Sequence, residues 1–420
     1  MTAPAAPHYT PKLLTTLREG YGAAEFKKDA VAGLTVAIVA LPLSMAIAIA
    51  SHAPPQAGLF TSIIGGFVIS ALGGSRFQIG GPAGAFIVLV STIIDTHGMN
   101  GLLLASVMAG LIMIAAGLLR LGSLVRLVPH AVTVGFTAGI AVIIFASQIH
   151  DLLGLTMQGP EPGALIPKLS ALWGAGATLN PWAAGLALAT IIVIQVIRRL
   201  RPLWPALLIA VTLASLAAFA FNLPVETIGS RFGAIPNMLP SPSLPAFDAA
   251  TLLALLPSAL SLAVLGSIES LLSAVVADKM AGRSHRSNAE LVAQGIANIA
   301  SPLFGGITAT GTIARTATNV KAGAHGPVSG MLHALYLMLF MLVAAPLLGR
   351  IPLAALAGIL ALVSWNMVER KEMTHMRSWQ FAAVLLVTFL ITIFRDLIEG
   401  IAAGIILALL LNWLAKPRMA

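Results

Sequence analysis

Two charged residues, Arg315 and Glu269, stand in stretches otherwise apolar enough to lie inside a bilayer. A charge at the centre of a spanning segment costs at least about 2.5–3.5 kcal/mol, so each demands an explanation. Arg315 lies near the end of the run Gly305-Gly306-Ile307-Thr308-Ala309-Thr310-Gly311-Thr312-Ile313-Ala314-Arg315-Thr316. Its glycines, threonines and arginine make it a poor spanning helix. The first half, Ile307 to Thr310, is short and largely β-branched and reads as extended. From Gly311 onward a helix can start, capped by Thr310 or Thr312. Non-helical backbone at membrane depth has to be buried in protein or line a wet cavity. A half-helix beginning there aims free N–H groups and its positive dipole end into that cavity, and Arg315 adds a full charge one turn in. Such a site suits an anion, and its candidate residues are Thr310, Gly311, Thr312, Ala314 and Arg315.

Glu269 sits in Leu265-Gly266-Ser267-Ile268-Glu269-Ser270-Leu271-Leu272-Ser273. Ser273, four residues on, shares its helix face, and Ser270 is adjacent. A carboxylate here can carry a proton, or it can hold sodium together with hydroxyl and carbonyl oxygens. Glu269, Ser270 and Ser273 are therefore the candidate coupling-ion residues. The plainer alternative is a structural ion pair between Glu269 and Arg315, and the two roles are compatible if the pair opens during a cycle.

A second broken stretch has the same design: Phe77-Gln78-Ile79-Gly80-Gly81-Pro82-Ala83-Gly84-Ala85-Phe86. It reads as a short extended piece, a glycine pair, and a proline suited to a first helical turn. Gly81, Pro82, Ala83 and Gly84 join the substrate-binding candidates. Two interrupted segments in corresponding places of two halves are the best sequence pointer to a transporter site. Small residues also serve close helix packing, which is the reading for Gly65, Gly66, Gly135 and Gly139.

The elements that must position these residues follow from composition. Of 420 residues 58% are hydrophobic and 9% charged, against roughly 25% charged in soluble domains. This is an all-α membrane protein. Cysteine is absent, which removes disulfide, thiol and thiolate-metal chemistry. The histidines show no metal-ligand spacing, and no nucleotide loop or nucleophile elbow occurs, so no cofactor, metal or enzymatic activity is expected. The net charge of +9 belongs to membrane-flanking loops rather than to nucleic acid.

Fourteen segments are expected, near 29–51, 55–73, 77–97, 100–121, 125–149, 181–199, 203–222, 252–278, 288–304, 307–322, 326–348, 351–367, 376–394 and 396–415. The third and tenth are half-helices, each preceded by a short extended strand. With the N-terminus inside, 19 of the 24 Lys and Arg fall on the cytoplasmic side, including Arg198, Arg199, Arg201, Lys279, Arg283, Arg286, Arg370, Lys371, Lys416 and Arg418. Lys168, Arg231, Arg350 and Arg395 fall outside. That asymmetry places both termini in the cytoplasm. Seven being odd, the halves of a 7+7 chain must be inverted repeats. Arg126-Leu127-Val128-Pro129 before the fifth segment echoes Arg350-Ile351-Pro352 before the twelfth. Glu399 reads as interfacial.

These motifs resemble the sulfate permease family of anion transporters over about 29–415. The likeness lies in Gly33 to Pro42 followed by Pro55 to Phe60, in Asn288 to Asn298 running through Phe304-Gly305-Gly306 to Arg315-Thr316, and in Pro129 to Phe136 and Pro352 to Leu360. The resemblance implies a nucleobase-permease-like fold and an elevator-like movement, in a homodimer. It implies a core domain of 29–122 and 252–348 and a gate domain of 123–222 and 349–415. Around these lie a cytoplasmic segment 1–28, an external loop 223–251 and a tail 416–420. Glu269 matches the family's coupling position and Arg315 a basic position found in many members. Many members carry glutamine after the proline of the first span, where this chain has Leu43, counted here as a substrate contact. Members also usually carry a STAS domain after the last span, and none is expected within this chain.

The expected function is secondary active transport of a small anion, of the sulfate, bicarbonate or dicarboxylate class, across a bacterial inner membrane. The expected coupling ion is a proton. A sodium-coupled symporter, an uncoupled channel or exchanger, and a nucleobase permease are the alternatives.

Overall fold

The computed structural model describes residues 9–123, 129–157, 159, 161–162, 164–202, 204–246, 248–368, 378–395 and 397–415. Arg126 to Val128, Arg370, Lys371 and the tail 416–420 lie outside them. A short helix, Lys12–Arg18, precedes the spans. The first two spans are Ala23–Ala50 and Pro55–Leu72. The third and fourth share the stretch Gly84–Leu118, broken at Gly98, whose φ of 69° leaves the helical region and is tolerated by glycine. The fifth to seventh are His130–Leu153, Pro181–Leu200 and Ala206–Ala220. The eighth and ninth are Ala249–Ala281 and Ser287–Leu303, and the tenth is the half-helix Ile313–Lys321. Val328–Leu348, Leu353–Met367, Trp379–Phe394 and Leu397–Ala415 complete the set.

Two of these boundaries differ from expectation. The first helix begins at Ala23, ahead of its apolar run, because Glu25 accepts a hydrogen bond from the Gly22 N–H and caps it. The third begins at Gly84 rather than at Pro82, since Ala83 still has extended backbone (φ −116°, ψ 144°). The long loops also hold helices that polarity concealed, Leu165–Gly174 and Ile228–Phe232.

Spans sort into two packed groups. The first packs on the eleventh, and the third and fourth pack on the eighth and ninth. The fifth packs on the twelfth and thirteenth, and the sixth on the seventh and twelfth. Glycines set the closest approaches, as expected where lipid supplies no hydrophobic drive and contact depends on fit. A Cβ on Gly110 would lie 2.6 Å from the Gly295 carbonyl oxygen, and one on Gly33 2.4 Å from that of Ser329. Gly65, Gly66, Gly135 and Gly139 are in similarly tight contacts.

The N-terminal helix is tied to the loops at one end of the first group. The Lys12 N–H donates to Gly73 O at 2.9 Å, Arg286 donates to Thr10 O and Thr15 Oγ1, and Arg76 pairs with Glu19.

Candidate functional site

Two strands cross at the middle of the first group. β1, Gly80–Gly81, pairs antiparallel with β2, Thr310–Gly311, in the register Gly80 to Gly311 and Gly81 to Thr310. The extended stretch before β2 has no ladder to satisfy it, so side chains do so. Thr61 Oγ1 accepts from the Ile307 N–H at 2.7 Å, and Asn298 clamps Ala309 by both its N–H and its carbonyl. The Ser301 hydroxyl donates to Ile307 O, and Ser106 bonds Thr308. Irregular backbone is thereby held inside protein at membrane depth, as physics requires.

A half-helix starts just past each strand, the third after Ala83 and the tenth after Thr312. Thr312 occupies the capping position but does not cap. Its N–H donates to Ile79 O at 3.0 Å and its hydroxyl leans to the same oxygen at 3.4 Å, so it serves the strand pairing instead. Thr310, the other candidate cap, bonds Ser270 Oγ at 2.9 Å. The first N–H groups of the tenth half-helix thus keep no side-chain cap. Ala314 is exposed there, and Gly84 is partly exposed at the start of the third helix.

Arg315 faces the other way. It is 1% exposed and reaches under β1, where Nη1 donates to Ser62 Oγ at 3.0 Å and Nη2 to Ser44 Oγ at 3.1 Å and Pro82 O at 3.5 Å. Gly81 makes room for it, since a Cβ there would lie 2.2 Å from Nη1. Nε has no partner, and among the described residues no carboxylate pairs with the guanidinium. The ion pair with Glu269 considered above is therefore not formed in this structure. Hydroxyls and one carbonyl satisfy hydrogen bonds, but they do not balance a buried positive charge.

Glu269 lines a cavity of about 160 Å³ between the eighth span and the fifth, which also reaches Ile313 and Lys279. Its carboxylate bonds neither serine. The Ser270 hydroxyl goes to Gly266 O and Thr310 Oγ1, and Ser273 Oγ donates to Thr316 Oγ1 at 3.1 Å. Ser273 thus faces the half-helix and Glu269 the cavity. The shared face that spacing suggested is divided between two neighbours. Leu43 is buried in the apolar core beside Ser44.

Gln78, Ser44, Ser62 and His333 are among the buried polar residues of this region that the sequence does not single out. Gln78 Nε2 donates to Ser270 O at 3.1 Å, and its side chain fills the notch of Gly311, where a Cβ would lie 1.6 Å from Nε2. Ser44 and Ser62 hold Arg315. His333, mid-span in the eleventh helix, is fully buried and neither ring nitrogen has a partner among the described residues. The available signal was a single polar residue in an apolar run, the same signal that marked Glu269. A second, larger cavity, about 370 Å³, is a weaker candidate because its arginine is already paired: Arg231 bonds Asp151 and Glu226, and His150 bonds Asp151.

Two half-helices with uncapped N-termini, joined through their paired lead-in strands, have the layout of a membrane-transporter site. The chain belongs to the sulfate permease family, which matches residues 26–392. It is 45% identical over 393 residues to "Putative sulfate transporter YvdB" of Bacillus subtilis (strain 168), covering 93% of this chain and 74% of that protein. It superposes on the transmembrane domain of a cyanobacterium bicarbonate transporter, BicA, with a TM-score of 0.81 and 32% identity, covering 93% of this chain and 98% of that one. The murine Solute Carrier 26 family member A9 anion transporter, in an inward-facing state, shares the fold with a TM-score of 0.87 at 18% identity, covering 98% of this chain and 73% of that one. The fold is the all-α, seven-plus-seven inverted repeat, and the protein is a multi-pass membrane transporter, not an enzyme.

Proposed function

We propose that this chain is a proton-coupled secondary transporter of a small anion of the sulfate, bicarbonate or dicarboxylate class. The observation that carries the proposal is Arg315, buried beside two half-helix N-termini with no counter-ion among the described residues. An anion held at those N-termini, by backbone at Gly81 to Gly84 and at Thr310 to Ala314, completes the charge balance. Arg315 acts on it through the field, from behind β1, and through the serines and the Pro82 carbonyl that it positions. Leu43, buried in the apolar core beside Ser44, offers the anion no polar contact.

Proton coupling is favoured over sodium by where the oxygens are. Ser270, Ser273 and Thr310 are already engaged with one another's elements, and Glu269 stands apart from them on the cavity wall. A sodium ion needs several oxygens around it, and a proton needs only the acid. Neutral Glu269 also lets an anion pass along the same cavity without like-charge repulsion. Spans 1–4 and 8–11 are assigned as the moving core and 5–7 and 12–14 as the gate. The setting is a bacterial inner membrane, with cytoplasmic termini and a homodimer. The test is uptake of sulfate, bicarbonate and a dicarboxylate into sodium-free proteoliposomes under an inward proton gradient. Accumulation that appears only when sodium is supplied moves Glu269 to a sodium site.

A further inference from the structure

The cavity beside Glu269 carries a cation at its open end that the proposed function leaves unused. Lys279 is exposed and lies on the same helix as Glu269, Thr133 and Thr137 of the fifth span stand on the facing wall, and Ile313, the first residue of the tenth half-helix, lies at the inner end. Among the described residues lining this cavity, Glu269 is the one Asp or Glu and Lys279 the one Lys or Arg. The acid next to Lys279 is taken: Asp278 accepts from the His285 N–H at 2.9 Å and bonds its ring Nδ1 at 2.6 Å. Lys279 is in no ion pair among the described residues, and the Thr133 hydroxyl makes no hydrogen bond there.

We propose that Lys279 and Thr133 form a second anion subsite, a staging point at the cavity mouth on the side assigned as cytoplasmic. It would take the same small, hydrated anion that the half-helices hold. The inference rests on the transport reading above for its purpose, though not for its electrostatics. A positive charge at the mouth of a low-dielectric cleft concentrates anions and raises their entry rate. Its exposure keeps the hold weak and salt-sensitive. Weakness is what a route requires, because binding must favour entry and still permit exit. Glu269 stands between this subsite and the half-helix, so an anion moving from one to the other passes its carboxyl group.

The chain contains no cysteine, so one introduced thiol reports without background. Thr133→Cys is placed in the otherwise unaltered chain and in Lys279→Gln, each in liposomes. Modification is then timed with sulfonatoethyl methanethiosulfonate, itself a small anion, and with its trimethylammonium counterpart. At low ionic strength the anionic reagent should react about threefold or more faster when Lys279 is present, and the cationic reagent more slowly. High salt should erase both differences. Equal rates in the two backgrounds, or rates shifted alike for both reagents, overturn the subsite. In transport, Lys279→Gln should raise the half-saturating sulfate and bicarbonate concentrations from the Lys279 side alone, with Lys279→Arg restoring them; a rise from both sides also overturns it. If the reagent rates follow the charge but the unaltered protein carries neither anion, the subsite stands and the transport reading falls.

Discussion

A guanidinium buried without a counter-ion raises the energy of the empty site and lowers that of the anion-bound one by comparison. Removing it should therefore cost affinity more than stability. Arg315→Ala leaves Ser44 and Ser62 hydrogen-bonded to each other at 2.8 Å, so the fold has a satisfied alternative. The expected result is a loss of anion affinity of about 30-fold or more, the equivalent of about 2 kcal/mol for one partner of a buried charge interaction. Equilibrium binding on folded protein checks it, and unchanged affinity would leave Arg315 a purely structural residue. Glu269→Gln should abolish accumulation driven by a proton gradient while sparing exchange of one anion for another. Uptake by the unaltered protein should rise as external pH falls. The Glu19 clasp does not confuse that test. Its hydrogen bond to Arg76 holds the Glu19 carboxyl below the ordinary range, so the clasp is intact above that range and is lost only as pH falls through the lowered value. Above the ordinary carboxylate range, the Glu19 bond that docks the N-terminal helix therefore does not change with pH. At this scale the two charges were legible because charge in an apolar run is conspicuous. Their mutual placement was not, because helix spacing says which residues share a face and nothing about what faces them.

The broken segments depend on side chains from neighbouring spans to satisfy their backbone, and Gly311 shows how tightly. The sequence marks Gly311 as a binding candidate at the start of a half-helix, and the structure adds a steric demand, the Gln78 amide packed against it. Gly311→Ala should destabilise the protein by roughly 1–3 kcal/mol through overpacking, and Gln78→Ala in the same chain should recover most of that loss. Thermal unfolding in detergent reads both. Recovery of stability without recovery of uptake would show that the glycine also serves the anion, and no recovery would place the clash elsewhere. The strand–half-helix design of 77–86 and 305–316 was legible because glycine, proline and threonine interrupt the apolar pattern. The true start of the third helix was not, since a proline admissible in a first turn is equally at home in the extended chain before it. Nor were Asn298 and Thr61 as clamps on Ala309 and Ile307, because those bonds join residues of different spans.

For the whole molecule, the alternation of apolar runs with basic loops made the number of spans and the inverted halves readable. Which spans touch was beyond that pattern, because lipid-facing and buried surfaces of a spanning helix are equally apolar. If the two packed groups move against each other, a bridge between them should stop transport. A Cβ on Gly84 lies 3.2 Å from Ile144 Cδ1, across the boundary between the third and fifth spans. Gly84→Cys with Ile144→Cys should carry less anion oxidised than reduced, while Gly84→Cys alone, which reads the cost of a side chain at the anion-binding backbone, should not respond to oxidation. Persistent uptake with the bridge closed would exclude the movement. The claim on which the rest depends is that this chain drives a small anion across the membrane with Arg315 as its buried counter-charge and Glu269 as the proton carrier. The most direct measurement is sulfate and bicarbonate accumulation in sodium-free proteoliposomes under an inward proton gradient, run in parallel on the unaltered protein, Arg315→Ala and Glu269→Gln. Accumulation of at least one anion is expected from the unaltered protein, with strongly weakened accumulation at subsaturating anion by Arg315→Ala and none by Glu269→Gln. Accumulation by Arg315→Ala equal to that of the unaltered protein, or no sodium-independent accumulation of either anion, would contradict it.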